Sequence, residues 1–210
     1  MQASNFSGLF ARDIQVWRGD RHVLRGVSLD VTAGQVVHVA GSNGAGKTTL
    51  LRVLAGLLTA EQGSVSWQGR PITSNFEAYA STLSYLGHSD ALKADFTARE
   101  NLAHEVGLRR PVTAPEIDDA MARCGLAACR DLPARVLSAG QRRRLAMARV
   151  MLTATSLWIL DDPFTNLYQA GVQLLSDVIA EQVDGGGAVV MAAHRPPAIP
   201  RHPANRVNLA

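Results

Sequence analysis

The stretch that most constrains this chain is Gly41-Ser-Asn-Gly-Ala-Gly-Lys-Thr-Thr49, which matches the pattern G-x-x-x-x-G-K-[ST] at every fixed position. Residues 35–40 before it predict a short buried strand, and residues 50–58 after it carry apolar side chains at helical spacing. A strand, a glycine-rich turn and a helix are the context in which this pattern binds phosphate groups.

The residue types in this loop explain how it would hold a polyanion. Glycines let the backbone bend so that successive N–H groups point inward, toward phosphate oxygens. Lys47 would reach the β- and γ-phosphates of a nucleotide, and the Thr48 hydroxyl would be a ligand for Mg²⁺. The sequence therefore predicts a site for ATP and Mg²⁺ with a binding loop made of Gly41, Ser42, Asn43, Gly44, Ala45, Gly46, Lys47, Thr48 and Thr49.

Length and composition narrow the class of protein. With 210 residues, 47% of them hydrophobic, the chain predicts a single domain with an ordinary core. A net charge of +3 is too small to indicate a nucleic-acid partner. No apolar run approaches the length of a membrane span, and we find no export signal, so a cytosolic protein is expected. The two cysteines, Cys124 and Cys129, lack a second ligand pair and are interpreted as reduced thiols.

Periodicity along the chain predicts an α/β fold with a mostly parallel, doubly wound sheet, a small antiparallel β layer and a helical insert. Residues 8–31 alternate like an antiparallel strand pair with a Gly-Asp turn, and residues 63–71 add a short strand and turn. The expected division is an ATPase core at 1–87 and 136–210 and a helical subdomain at 88–135. Further elements are expected as strands at 82–86, 157–160, 188–193 and 205–210 and as helices at 142–152 and 172–183.

Three more motifs follow the phosphate loop in a diagnostic order. Leu137-Ser-Ala-Gly-Gln-Arg-Arg-Arg144 is similar to the L-S-G-G-Q signature, Leu157-Trp-Ile-Leu-Asp161 looks like a Walker B strand, and His194 follows a buried strand as a switch histidine does. Together with the phosphate loop they give four motifs in order, and the resemblance that they carry covers nearly the whole chain. On these residues the chain is identified as resembling the nucleotide-binding domain of the ABC-transporter ATPases, which are P-loop NTPases.

The resemblance implies a division of roles among the site residues. Lys47, Asp162 and His194 would be catalytic, the last two by orienting the attacking water. Thr48, Asp161 and His88 would hold Mg²⁺ directly or through water. Two nucleotide domains would close head-to-tail, as a homodimer, so that the phosphate loop of one and the signature of the other enclose each ATP. The remaining nucleotide contacts would come from Arg18, which can stack on adenine, and from Ser138, Ala139, Gly140 and Gln141.

A narrower resemblance is carried by Tyr85-Leu-Gly-His88, Leu92-Lys93, residues 96–102 and the signature and Walker B stretches. These are similar to the CcmA family, the ATP-binding subunits of the haem exporter in cytochrome c maturation. The resemblance implies a peripheral protein on the cytoplasmic face of the bacterial inner membrane. Its partners would be a CcmB-like integral membrane permease and other cytochrome c maturation proteins. ATP hydrolysis would serve release of a haem-loaded chaperone, and no haem site is expected on this subunit.

Departures from the family pattern leave alternatives open. Asp162 stands where the family has a catalytic Glu and is shorter by one C–C bond, about 1.5 Å. Tyr168 replaces the usual Asp of the D-loop, His88 replaces the Q-loop Gln, and Ala139 replaces a signature Gly. The chain is thus either an ATP-hydrolysing transporter subunit or a degenerate module that binds ATP and dimerises with little hydrolysis. The ATPase of another small-solute ABC transporter is a third interpretation.

Other candidate residues receive structural interpretations. Residues 142–144, three consecutive arginines, are expected to form a solvated helix face. Trp17 is expected in the core. Isolated histidines are expected to be structural rather than ligands; these are His22, His38, His104 and His202.

Overall fold

Two β-sheets form the frame of the protein. The computed structural model describes residues 8–194 and 196–209. The strands are β1 (Leu9–Arg18), β2 (Arg21–Val31), β3 (Val36–Ala40), β4 (Gln62–Trp67), β5 (Arg70–Pro71), β6 (Leu83–Leu86), β7 (Leu157–Asp161), β8 (Ala188–Ala192) and β9 (Asn205–Asn208). The α-helices are α1 (Lys47–Leu54), α2 (Phe76–Thr82), α3 (Ala98–Gly107), α4 (Ala114–Arg123), α5 (Ala139–Leu152) and α6 (Gln169–Asp184). Single 3₁₀ turns occur at Ala127–Cys129 and Ala134–Val136.

The smaller sheet is antiparallel, with strand order β2-β1-β4-β5. The predicted hairpin is confirmed: β1 and β2 pair from Leu9 opposite Val31 to Arg18 opposite Arg21, with Gly19 and Asp20 as the turn. Gly19 has φ +56°, a left-handed conformation that suits glycine in so tight a connection. The predicted strand at 63–71 is present as β4 and β5.

The larger sheet is parallel throughout, with strand order β6-β7-β8-β3-β9. Every residue of β3, β7 and β8 is buried, as expected for central strands covered on both faces. The predicted last strand is confirmed as β9, whose Asn205 lies opposite Val37 of β3. The mixed α/β fold with one parallel and one small antiparallel sheet is therefore the fold that the sequence predicts.

Three hydrophobic clusters fill the space around these sheets. The largest joins the antiparallel sheet, α1 and one face of the parallel sheet. A second lies on the other face, where α5 and α6 pack on the parallel sheet. The third joins α3 and α4 to α5 and includes both buried free cysteines. Helix α5 contributes to the last two clusters, so it links the helical segment to the parallel sheet.

The predicted helices at 142–152 and 172–183 are present as α5 and α6, each of which begins three residues earlier than predicted. Thr97 and Glu100 form a capping box at α3, and equivalent boxes open α4 and α5. The short helix α2 departs from the prediction, which assigns no helix ahead of the strand at 82–86. Among the described residues, no helix is long and apolar enough to cross a membrane.

Candidate functional site

The predicted site residues converge because parallel strands end at the same edge of a sheet. Asp161, the last residue of β7, lies opposite Ala192 of β8, and Ala192 lies opposite Val39 of β3. The phosphate loop begins two residues beyond Val39, and Gly87 and His88 directly follow β6. This carboxyl edge is where α/β proteins bind nucleotides.

The phosphate loop has the backbone expected of an anion-binding turn. Gly46 has φ +97°, and a Cβ atom there would lie 2.8 Å from Leu24 and 2.9 Å from Val23. Only glycine fits that position, because both the conformation and the packing exclude a side chain. The Lys47 ammonium donates hydrogen bonds to the carbonyl oxygens of Gly41 (2.8 Å) and Ser42 (2.9 Å). The side chain of Lys47, the first residue of α1, thus folds back over the phosphate loop and bonds to its backbone.

A cleft of about 440 Å³ opens beside this loop. The structure brings together there nine of the residues predicted for the site, which are Arg18, Asn43, Gly44, Gly46, Lys47, Thr48, Thr49, His88 and Asp162. Arg21 and Val23 also line it and were not predicted. Arg21 donates a hydrogen bond to the Gly44 carbonyl oxygen at 2.8 Å and lies opposite Arg18 in the hairpin. Two guanidinium groups therefore face the cleft from the antiparallel sheet.

Asp161 is a buried carboxylate beside the phosphate loop. The residue is 1% exposed, and its Oδ2 atom lacks a hydrogen-bond partner within residues 8–194 and 196–209. Burial raises the pKa of the Asp161 carboxyl, while a hydrogen bond from the Thr48 side chain lowers it. An unpaired buried carboxylate oxygen next to a hydroxyl is an oxygen-only donor set of the kind that Mg²⁺ prefers.

The next residue, Asp162, reaches the cleft through an unusual backbone conformation. Its φ is +49°, in the left-handed region. Its N–H donates to the Ala192 carbonyl oxygen at 2.8 Å.

His194 lies two residues past the end of β8. It is exposed and is not among the described residues that line the cleft. The structure thus places Asp162 and His88 beside the phosphate loop but does not bring His194 into the same cleft.

The signature residues line a different groove. Ser138, Ala139, Gly140 and Gln141 border a groove of about 610 Å³ together with Tyr168 and neighbouring residues. Ser138 caps α5 by accepting a hydrogen bond from the Gln141 N–H at 3.2 Å. A Cβ atom at Gly140 would lie 2.8 Å from the Asn166 carbonyl oxygen, so a glycine is required where the loop after β7 crosses the signature. Within one chain, the signature residues and the phosphate loop therefore line separate surfaces.

Three structural interpretations from the sequence can be compared with the structure. The prediction that the arginines at 142–144 form a solvated face is wrong for Arg143, which is 2% exposed and bonded to the loops after β6 and β7. The core prediction for Trp17 is also wrong, since its half-buried ring stacks on His22 at 3.9 Å. His38 is structural as expected, because its buried ring nitrogen is 2.9 Å from the Ala193 carbonyl oxygen.

Comparison with known proteins decides the family. The model of the ABC transporter domain matches residues 24–165. The chain belongs to the ABC transporter family. This match supports an ABC transporter ATPase. It does not favour the alternative of a degenerate module that binds ATP and dimerises with little hydrolysis.

Relatives in this family carry a more specific name. The chain is 44% identical over 177 residues to the "Cytochrome c biogenesis ATP-binding export protein CcmA" of Nitrosococcus oceani, covering 84% of this chain and 81% of that protein. It is 41% identical over 201 residues to the protein of the same name from Shigella flexneri, covering 96% of both. The resemblance to CcmA proteins stated from the motifs is thereby confirmed.

Solved structures of ABC proteins share the fold. A putative ABC transporter ATP-binding protein from Pyrococcus furiosus superposes with a TM-score of 0.84 at 25% identity, covering 97% of this chain and 98% of that one. A bacterial Atm1-family ABC exporter with ATP bound superposes with a TM-score of 0.81 at 23% identity, covering 91% of this chain and 35% of that one. The two-sheet arrangement described above is thus that of the ABC ATPases.

Proposed function

We propose that this ABC ATPase is the ATP-hydrolysing subunit of an export complex in cytochrome c biogenesis. The observation that carries the proposal is the cleft at the carboxyl edge of the parallel sheet, where Lys47, Thr48 and Asp162 converge beside Asp161. The printed names of the CcmA relatives support the assignment to cytochrome c biogenesis. Release of a haem-loaded chaperone is the step that the resemblance to CcmA assigns to hydrolysis.

Binding of ATP would rest on this chain's own groups. The amides of the phosphate loop and the N-terminus of α1 provide fixed positive partial charge for the phosphates. On ATP binding, the Lys47 ammonium would exchange the carbonyl oxygens of Gly41 and Ser42 for phosphate oxygens, to which it is bound more strongly because both partners are charged. Arg18 and Arg21 would contact the base and sugar side, since a guanidinium plane can stack on a base.

The residues present fit a Mg²⁺ ion. Thr48 and Asp161 would hold it, with His88 acting through the water shell, and the ion would neutralise charge on the β- and γ-phosphates. Asp161 is suited to this because one of its oxygens lacks a hydrogen-bond partner in the described part of the chain.

Hydrolysis would require Asp162 to orient a water against the γ-phosphate. Completion of the site would need a second copy, whose Ser138 and Gly140 cap the γ-phosphate from the start of α5. The separation of signature groove and phosphate-loop cleft in one chain supports this head-to-tail arrangement. His194 would join the site only in the closed dimer, because in the single chain it lies outside the cleft.

Partners follow from the same proposal. The segment 88–135 would form the helical subdomain that contacts an integral membrane permease of CcmB type at the cytoplasmic face of the inner membrane. ATP would act as a ligand that selects the closed dimer, and closure would move the permease. Other cytochrome c maturation proteins would act together with that permease.

The first experiment is Mg²⁺-dependent ATP hydrolysis by the purified chain, with and without the permease, beside a Lys47→Ala control. Turnover that disappears in the control and rises with the permease is expected. ATP binding without turnover above the control, even with the permease present, would contradict the proposed function. Asp162→Glu adds a second test, since a large gain in turnover would show that Asp162 is a poor substitute for the family's glutamate.

A further inference from the structure

Arg143 is a buried charge that the ATPase mechanism outlined above does not use. It lies in the second turn of α5, the helix that starts at the signature, and its side chain is 3% exposed. A buried guanidinium is costly unless nearly all of its donors are paired. The groups that pair with the Arg143 guanidinium therefore indicate which parts of the structure it holds in position.

Those contacts reach two loops that follow neighbouring parallel strands. In the loop after β6, one terminal nitrogen donates to the Gly87 carbonyl oxygen at 2.9 Å and to the Asp90 carboxylate at 3.0 Å. In the loop after β7, the other terminal nitrogen donates to the carbonyl oxygen of Asp161 and, at 3.0 Å, to that of Asp162. The Nε atom is 3.4 Å from the Pro163 carbonyl oxygen. One planar group thus links both loops.

The acceptors belong to the residues that the catalytic proposal depends on. Asp162 lines the cleft, Asp161 is the buried carboxylate beside Thr48, and Gly87 shares a peptide bond with His88, which also lines the cleft. Arg143 binds main-chain oxygens, so it constrains where these residues sit in space without competing for their side chains.

Asp162 has particular need of such a constraint. Its left-handed φ of +49° is unfavourable for a residue with a side chain and persists only where neighbours enforce it. Its N–H donates to the Ala192 carbonyl oxygen, and its own carbonyl oxygen accepts from the Thr165 N–H at 3.2 Å and from Arg143. Of these bonds, only the one from Arg143 connects residue 162 to α5. Because a carboxylate one bond shorter than glutamate has less reach, small displacements of this backbone would change its distance from a bound phosphate.

We propose that Arg143 is a positioning residue of the ATPase site, which fixes the backbone of Asp161 and Asp162 and ties it to the loop that carries His88. The proposal rests on the catalytic role proposed above for Asp162. It assigns α5 two tasks: its first turn presents the signature to a second copy, and its second turn holds the two loops of its own chain's site.

The test compares Arg143→Lys with Asp90→Asn and with a matched control, Arg110→Gln. Lysine keeps the charge but loses the planar fork that spans two loops. Arg110 also bonds a carbonyl oxygen of α5, that of Leu152 at 2.9 Å, and pairs with Glu116, but it lies in the segment after α3, away from both loops. Each variant is assayed for kcat, KM and ATP affinity in the presence of Mg²⁺, well below its melting temperature.

Arg143→Lys is expected to lower kcat by about 10- to 100-fold, the size of effect that a misplacement near 1 Å produces, while ATP affinity changes by less than about threefold. Asp90→Asn, which keeps the shape of its side chain, is expected to lower kcat by roughly 3- to 10-fold. Arg110→Gln should lower the melting temperature and leave kcat unchanged. If both loop-contact variants keep kcat within about twofold of the wild type, Arg143 is only structural and the proposal is wrong.

A double-mutant cycle with Asp162→Glu provides a readout that misfolding does not imitate. If Arg143 acts through the position of residue 162, the loss caused by Arg143→Lys should differ by more than about threefold between the wild-type background and the Asp162→Glu background. Equal losses would overturn the proposal. Asp162→Asn separates the two hypotheses: full turnover in that variant refutes the catalytic role of Asp162, whereas its loss alongside normal Arg143→Lys turnover refutes only the role of Arg143.

Discussion

Substitution of Asp161 by Asn is expected to stabilise the protein without ligands and to weaken its response to Mg²⁺-ATP. The carboxylate is 1% exposed, and its Oδ2 atom has no hydrogen-bond partner in the part of the chain that the structure describes. Leaving a buried polar atom unpaired costs about 1–3 kcal/mol, and more when it is charged. The Thr48 hydrogen bond and the charge of Arg143 offset part of that cost, as their lowering effect on the Asp161 pKa indicates.

Asparagine keeps an oxygen that accepts from Thr48 and removes the buried charge. We therefore expect a net gain in unfolding free energy of about 1 kcal/mol. For a chain of this size such a gain raises the melting temperature by roughly 2–4 °C. Thermal unfolding without nucleotide or Mg²⁺ measures it, with the exposed Asp20→Asn as the control for charge removal alone.

The pH dependence of the unfolding free energy provides an independent test of the expected stabilisation. Burial raises the pKa of Asp161 above its ordinary value of 3.8, so the folded state binds this proton more tightly than the unfolded state. The destabilisation by Asp161 is then complete above the folded pKa and declines as pH falls toward the ordinary value. The difference between Asp161→Asn and wild type should accordingly shrink in acid.

Mg²⁺-ATP should reverse the ranking. Ligand stabilises the wild type in proportion to its affinity, and the variant loses a direct ligand for the ion. A melting temperature for Asp161→Asn more than about 2 °C below wild type without ligands would refute the reasoning. An undiminished shift on adding Mg²⁺-ATP would refute it equally.

Three further substitutions or probes test the packing. Tyr79→Phe removes a buried hydroxyl that donates to the Leu54 carbonyl oxygen at 2.5 Å, so a loss of about 1–2 kcal/mol is expected in chemical denaturation. Thr113→Ala removes the N-cap of α4 and should cost about 1 kcal/mol by the same assay, with Thr32→Ala as a control outside any helix. Because burial raises the pKa of Cys124 to about 12, this thiol should react with a disulfide reagent at pH 8 only after unfolding, and rapid reaction in the native protein would contradict its burial.

Most of the fold could be predicted because its signals are local. Apolar runs marked β7 and β8, an apolar run interrupted by His38 marked β3, and alternation with a two-residue turn marked the β1–β2 hairpin. The phosphate loop was predictable because its glycines are dictated by backbone geometry, as the close approach of Leu24 and Val23 to Gly46 illustrates. Helix α2 carries no comparable periodicity in its seven residues, so it was missed.

Residues that act through tertiary contacts were harder to predict. Arg21 could have been found, since a two-residue turn makes it the cross-strand partner of Arg18. Arg143 also carried a signal: it shares helical spacing with the buried residues Ala146, Met147 and Val150, which places it on the inner face of α5. Its partners lie in two separate loops. Those in the loop after β6 are at least 53 residues away along the chain, so no local sequence pattern identifies them.

The position of Asp162 illustrates why residue type alone did not decide its role. The aspartate side chain is shorter than that of glutamate by about 1.5 Å. The sequence therefore left two roles for Asp162 equally open, a working base and a passive acid. The carboxylate's position, however, depends on the backbone at residue 162, which is left-handed and is held by Ala192, Thr165 and Arg143. A site whose backbone is constrained in this way can be built around the shorter side chain. The effect of Asp162→Glu on turnover therefore measures the fit of that backbone to aspartate, and a gain would mean that the backbone does not compensate.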